Sequence, residues 1–139
     1  MPKFDATAIQ VGTRLPDLVF GPVTRQVLAL YAGASGDHNP IHIDTDYARQ
    51  AGLDDVFAHG MLSMAQIGRT VTEWCGAERL SQLSTRFSAI TPVGAMVTCR
   101  GEVTELLDHN DQPHCRVALT ATLEDGTVTL IADALIHTE

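Results

Sequence analysis

A chain of 139 residues, 45% apolar and 19% charged, has the size and composition of one globular domain with a real core, which excludes a disordered polypeptide. Its formal charge of -8, its one lysine (Lys3) and the lack of any basic run argue against nucleic-acid binding; an anionic ligand would need a local cluster of arginines. No apolar run reaches membrane-spanning length, Met1-Pro2-Lys3-Phe4-Asp5 lacks the core of a signal peptide, and Cys75, Cys99 and Cys115 form no CxxC, so the cysteines read as reduced core thiols of a cytoplasmic protein.

The first predicted element is a short strand around Leu15 to Phe20. Thr24 can cap a helix running to about Ser35, with Val27, Leu28, Leu30, Tyr31 and Ala34 on or near its buried side and Gly36 as its stop. Asp44 or Thr45 caps a short second helix, Asp46 to Ala51, ended by Gly52. A longer helix is predicted from Gly60 to Cys75. Met61, Met64, Ala65, Gly68, Val71 or Thr72, and Cys75 follow a 3.6-residue spacing, with Leu62, Ile67 and Trp74 widening the apolar side. A helix so apolar is expected to be wrapped on several sides.

The second half alternates instead. Leu83, Thr85, Phe87 and Ala89 mark one strand, and Thr91-Pro92-Val93-Gly94 a turn. A strand from Met96 to about Leu106 follows, with Val97, Cys99, Gly101 and Val103 on one face. Leu107 to Pro113 reads as a polar loop. Cys115, Val117, Leu119, Ala121 and Leu123 alternate cleanly, Asp125-Gly126 is a hairpin turn, and Val128 to Ile136 is the returning strand. Helices first and an antiparallel meander after them is an α+β pattern, and one long apolar helix beside one long sheet suggests a sheet curled around the helix.

The stretch Ser35-Gly36-Asp37-His38-Asn39-Pro40-Ile41-His42 carries the most chemistry. Asp37 and His42 are five apart, a spacing that diverges on a continuous helix. Pro40 fixes its own φ and pushes Asn39 toward an extended conformation, so the chain turns and both groups can face one pocket as a proton-handling pair.

Tyr31-Ala32-Gly33-Ala34-Ser35-Gly36-Asp37-His38-Asn39-Pro40-Ile41-His42 resembles the signature of the (R)-specific enoyl-CoA hydratases, the MaoC-like dehydratases of the hot-dog fold. Val11-Gly12, Ala58-His59-Gly60-Met61-Leu62, and Phe87 with Pro92-Val93-Gly94 occur in that family's order and approximate spacing, so the resemblance covers nearly the whole chain. It implies one hot-dog domain over residues 1–139, a sheet of about five antiparallel strands, and assembly as at least a dimer. It also implies reversible hydration of trans-2-enoyl thioesters to (R)-3-hydroxyacyl thioesters, carried by coenzyme A or acyl-carrier protein, in fatty-acid or polyhydroxyalkanoate-type metabolism. Asp37 and His42 are then the catalytic pair, and the backbone N–H at or beside Gly60 is the oxyanion donor. Asn39 either positions the loop or contacts substrate. His59 either bonds the thioester or holds the turn.

These residue types suit that reaction. A carboxylate and an imidazole gripping one water can act as general base and acid, and a helix N-terminus offers free N–H groups to a nascent enolate oxygen. No metal or organic cofactor is required. His38 and His42 have HxxxH spacing, but Pro40 lies between them and no helical Glu accompanies them, which argues against zinc. Ser63 lacks a GxSxG elbow and reads as plain helix. Met61, Leu62 and Met64 could line an acyl tunnel, though such stripes are usually core. His109, His114 and His137 read as surface or strand-edge residues. Two rival functions on the same fold are a thioesterase, which usually keeps a lone carboxylate, and a non-catalytic acyl-binding subunit of a heteromeric dehydratase, for which a damaged motif is expected.

Overall fold

A computed structural model describes residues 4–139. In chain order the elements are β1 (Leu18–Phe20), α1 (Arg25–Ser35), α2 (Thr45–Gln50), α3 (Gly60–Cys75), β2 (Leu80–Phe87), β3 (Val97–His109), β4 (Gln112–Leu123) and β5 (Val128–His137). The five strands form one antiparallel sheet in the order β1-β3-β4-β5-β2.

The sheet is built by alternation. Val97, Cys99, Gly101 and Val103 of β3 and Cys115, Val117, Leu119 and Ala121 of β4 all point inward and are buried. They meet Ile67, Val71, Trp74 and Cys75 of α3, so the long helix lies across the concave face of the sheet. Each such aliphatic side chain contributes about 1.5–3 kcal/mol by leaving water. All three cysteines are free and buried there, and burial pushes each thiol up to about 11.

Several boundaries differ from expectation. The first strand is shorter, because Pro16 has no N–H to donate; Leu15 still bonds Gly101, but regular pairing begins at Leu18. The expected loop from Leu107 to Pro113 is instead the end of a long hairpin. His109 pairs with Gln112, and Asn110 and Asp111 take φ of 52° and 60°. Two successive left-handed residues make the two-residue turn that matches strand twist, and Asn and Asp tolerate that conformation better than most. In α1 only Leu28 and Ala32 are buried; Val27, Leu30 and Ala34 are exposed. In α3 the buried stripe runs through Leu62, Ser63, Ile67, Thr70, Val71, Trp74 and Cys75, while Met61 and Ala65 face outward. The helix bounds agree with expectation, but its contact face is rotated by about one residue. A second, smaller cluster of Val23, Leu28, Ala48, Val56, Ala58 and Leu62 ties α1 and α2 to the start of α3.

Candidate active site

The site begins where α1 stops. Thr24 caps the helix through Val27 N–H, and Gly36 ends it at φ 77°, a left-handed conformation that favours glycine. Three short polar side chains then steer the backbone. Ser35 Oγ accepts from the Asp37 N–H at 3.2 Å, Asp37 Oδ1 from the Asn39 N–H at 3.2 Å, and Asn39 Oδ1 from the Ile41 N–H at 3.1 Å. Each is the two-residue local turn for which Ser, Asp and Asn are suited. Pro40 opens a single 3-10 turn, Pro40–His42, which swings His42 inward to 8% exposure.

His42 Nδ1 lies 2.7 Å from the Phe57 carbonyl oxygen. A carbonyl can only accept, so Nδ1 carries the hydrogen and Nε2 of the neutral ring keeps the lone pair. His59, the residue before α3, is 1% exposed, and its Nε2–H donates to the Asp37 carbonyl at 3.1 Å. The His42 and His59 rings stack at 4.1 Å with a 27° tilt. Phe57 stands edge-on to His42 and Tyr31 edge-on to His59. One carboxylate oxygen of Asp37 and one ring nitrogen each of His42 and His59 lie within 4.8 Å of one another. Asp37 itself remains exposed.

This trio could be read as a metal-binding set. A shared ion needs in-plane lone pairs converging at about 2.0–2.1 Å. Stacked rings hold their lone pairs in two roughly parallel planes rather than pointing them at one shared point. The geometry fits a proton-handling cluster better than a tetrahedral ion site.

Burial lowers the His59 pKa; the bond to the Asp37 carbonyl opposes that, the charge of His42 adds to it, and the Asp37 charge opposes it weakly. Tyr31 is shifted up by burial and then by the Asp37 charge, so its phenol stays neutral. The His59 shift has a stability consequence. The unfolded imidazole takes a proton near its ordinary 6.5, the folded one only at lower pH. Below that value the unfolded chain binds more protons, so stability is full above it and falls as pH drops through the window. The urea midpoint is expected to fall as pH drops below the ordinary imidazole value of 6.5, and to fall less in His59→Gln. Equal slopes in the two proteins would exclude His59 as the linked group.

Gly60 is the first residue of α3, and its N–H finds no acceptor among the described residues. A Cβ there would lie 2.8 Å from Cε1 of Phe87, so a side chain at this position would push that ring away from the helix start. Beside it opens a cavity of about 340 Å³, lined by Phe57, Gly60, Ser63, Phe87, Ile90 and Leu130 among others. Asp37 and His42 meet each other as expected but are not part of this wall. Phe57 borders both regions, through its carbonyl on His42 and as part of the cavity lining.

Other expectations need correction. Asn39 Oδ1 accepts from the Ile41 N–H within the loop. Ser63 is not plain helix: it is 1% exposed, lines the cavity and has no partner for its hydroxyl, an omission that costs about 1–3 kcal/mol in a folded protein. Its spacing of three from Gly60 was the available signal. His114 is buried rather than at the surface. It donates from Nδ1 to the Gln112 carbonyl at 2.9 Å and accepts at Nε2 from Ser81 at 2.8 Å. Met61 is 54% exposed and Leu62 belongs to the smaller core, so neither lines the cavity.

An antiparallel sheet folded over one long helix is the hot-dog architecture. R-hydratase PhaJ1 from Pseudomonas aeruginosa superposes with a TM-score of 0.83 at 26% identity, over 95% of this chain and 83% of that one. The family model described as the MaoC like domain matches residues 11–125, and the chain belongs to that family. The (R)-specific enoyl-CoA hydratase of Rhodospirillum rubrum is 32% identical over 119 residues, 81% of each chain. Fatty acid synthase subunit beta of Aspergillus oryzae is 35% identical over 104 residues, which is 71% of this chain but only 5% of that far longer protein.

Proposed function

We propose that this protein is a hydro-lyase that adds water to trans-2-enoyl thioesters to form (R)-3-hydroxyacyl thioesters, and catalyses the reverse dehydration. The observation that carries the reading is the approach of the Asp37 carboxylate and a His42 ring nitrogen to within 4.8 Å, beside a helix start whose first N–H is free. Family membership and likeness to a hydratase along four-fifths of both chains support it.

In the proposed step one water bridges Asp37 and His42 Nε2. Asp37 takes one proton as the water oxygen bonds to C3, and that proton is passed on to C2. His42 Nε2 accepts the water's other hydrogen and orients it, so the second O–H bond stays in the product hydroxyl. Electron density moves onto the thioester oxygen, where the Gly60 N–H and the positive end of α3 stabilise it. His59 holds the Asp37 backbone and stacks on His42, so its proposed role is chiefly to position the pair.

The proposal extends to a single domain over residues 1–139 acting on coenzyme A or acyl-carrier thioesters in the cytoplasm, within fatty-acid or polyhydroxyalkanoate-type metabolism. Among the described residues no helix is long and apolar enough to cross a membrane. A homo-oligomer is favoured because Met61, Phe87 and Ile90, all close to the helix start, are each more than half exposed.

Crotonyl-CoA mixed with the purified protein tests the reading. Loss of enoyl absorbance without release of free thiol is the expected result. Thiol release would indicate the thioesterase, and binding with neither change would indicate a non-catalytic acyl-binding subunit.

A further inference from the structure

Three buried side-chain polar atoms among the described residues have no hydrogen-bond partner. His59 Nδ1 and Ser63 Oγ are one helical turn apart at the start of α3. Thr85 Oγ1 sits on β2 between Leu83 and Phe87, the side chains that face Gly68 and Gly60 of that helix. Native proteins leave few buried groups unpaired, and those they leave need a reason.

Ser63 is the informative one because the same helix shows what a buried hydroxyl ordinarily does. Thr70 turns its Oγ1 back to the Gln66 carbonyl four residues earlier, at 2.9 Å. Thr129 likewise donates to Ala121 at 3.2 Å. The corresponding acceptor for Ser63 is the His59 carbonyl, which receives the Leu62 N–H at 3.1 Å but not the Ser63 hydroxyl. Nor does His59 Nδ1 take it. The hydroxyl is therefore held free on the wall of a largely apolar cavity, three residues on from Gly60 and on the same helix face. Gly60 presents a free N–H and Ser63 a free O–H. Two unspent donors on one wall call for an atom that only accepts.

We infer that the Ser63 hydroxyl is a second donor to the thioester carbonyl oxygen, acting beside the Gly60 N–H. This rests on the hydratase reading for its consequence in turnover, though not for the contact itself. Ser63 keeps its proton throughout: the water supplies hydroxyl to C3 and hydrogen to C2, and Ser63 shortens its hydrogen bond as charge builds on oxygen.

The test compares wild type, Ser63→Ala and Ser63→Thr. Ser63→Ala is expected to lower kcat on crotonyl-CoA by about 10²-fold, the scale of one lost oxyanion donor, with KM little changed. Its thermal midpoint should not fall, because an unpaired buried hydroxyl has been removed. Ser63→Thr, which restores the hydroxyl, should recover to within about fivefold of wild type. Butyryl-CoA has no double bond to hydrate and reports the contact alone. Its carbonyl stretch, by isotope-edited infrared, should be lowered on wild type and partly released on Ser63→Ala. Identical stretches on the two proteins, or Ser63→Ala turnover within about twofold of wild type, would overturn the inference. A wild type that leaves crotonyl-CoA unchanged, yet shows the Ser63-dependent stretch, would remove the hydratase reading and keep the contact.

Discussion

Asp37→Asn is expected to lower kcat on an enoyl thioester by about 10²–10⁴-fold, the range for loss of a positioned general base. The substitution isolates basicity. Asp37 Oδ1 accepts from the Asn39 N–H, and the amide oxygen of asparagine can keep that bond, so the loop retains its shape. The other oxygen becomes an NH₂ group, which donates and cannot take a proton from water. Residue 37 is exposed, so stability should change by no more than about 0.5 kcal/mol. Stopped assays of crotonyl-CoA hydration, with urea unfolding alongside, check both halves. Turnover close to wild type would remove Asp37 from the chemistry. Lost turnover with a collapsed urea midpoint would point to a role in holding the loop.

The second large effect is expected at His42. His42→Gln should also lose about 10²–10⁴-fold in kcat. Glutamine fills much of the same volume, and its amide can donate to the Phe57 carbonyl as Nδ1–H does now. Its amide nitrogen and oxygen cannot serve as a proton acceptor for water as the imidazole Nε2 can. His42 is buried and stacked on His59, so the variant also gives up ring packing and some stability is expected to go with it. The readout that separates chemistry from packing is the pH profile of kcat/KM. Loss of one ionising limb belongs to the imidazole, while a uniformly lowered curve of unchanged shape would mean that His42 only shapes the pocket. Asp37 and His42 grip one water in the proposed step, so their combined variant should lose less than the product of the single losses.

Much of this arrangement was legible in the chain because it is governed locally. Thr24 and Gly36 bracket α1 through a hydroxyl cap and a left-handed glycine. Gly60 and Cys75 bound α3 as the periodicity of its apolar residues required. The turn that brings His42 back toward Asp37 is made from side chains bonding backbone two residues on, a chemistry confined to Ser35, Asp37 and Asn39. The hairpin at Asn110-Asp111 was the local signal misread, because polar residues before a proline look like a loop unless both can adopt positive φ.

What resisted reading were the facts that depend on neighbours distant in the chain. Ser63 looks like any polar helical residue until β2 brings Phe87 over Gly60 and closes a cavity around it. His114 looks like an edge residue until Ser81 on β2, two strands away in the sheet order, meets it. The helices, the alternating strands and the turn that joins an acid to an imidazole follow from the chain alone, because caps, periodicity and short polar turns act over a few residues. Which face of α3 is buried, which nitrogen of each histidine is free and which hydroxyl goes unpaired follow from contacts between distant segments. Those outcomes depend on long-range packing that brings particular carbonyls and rings within about 3–5 Å of one another.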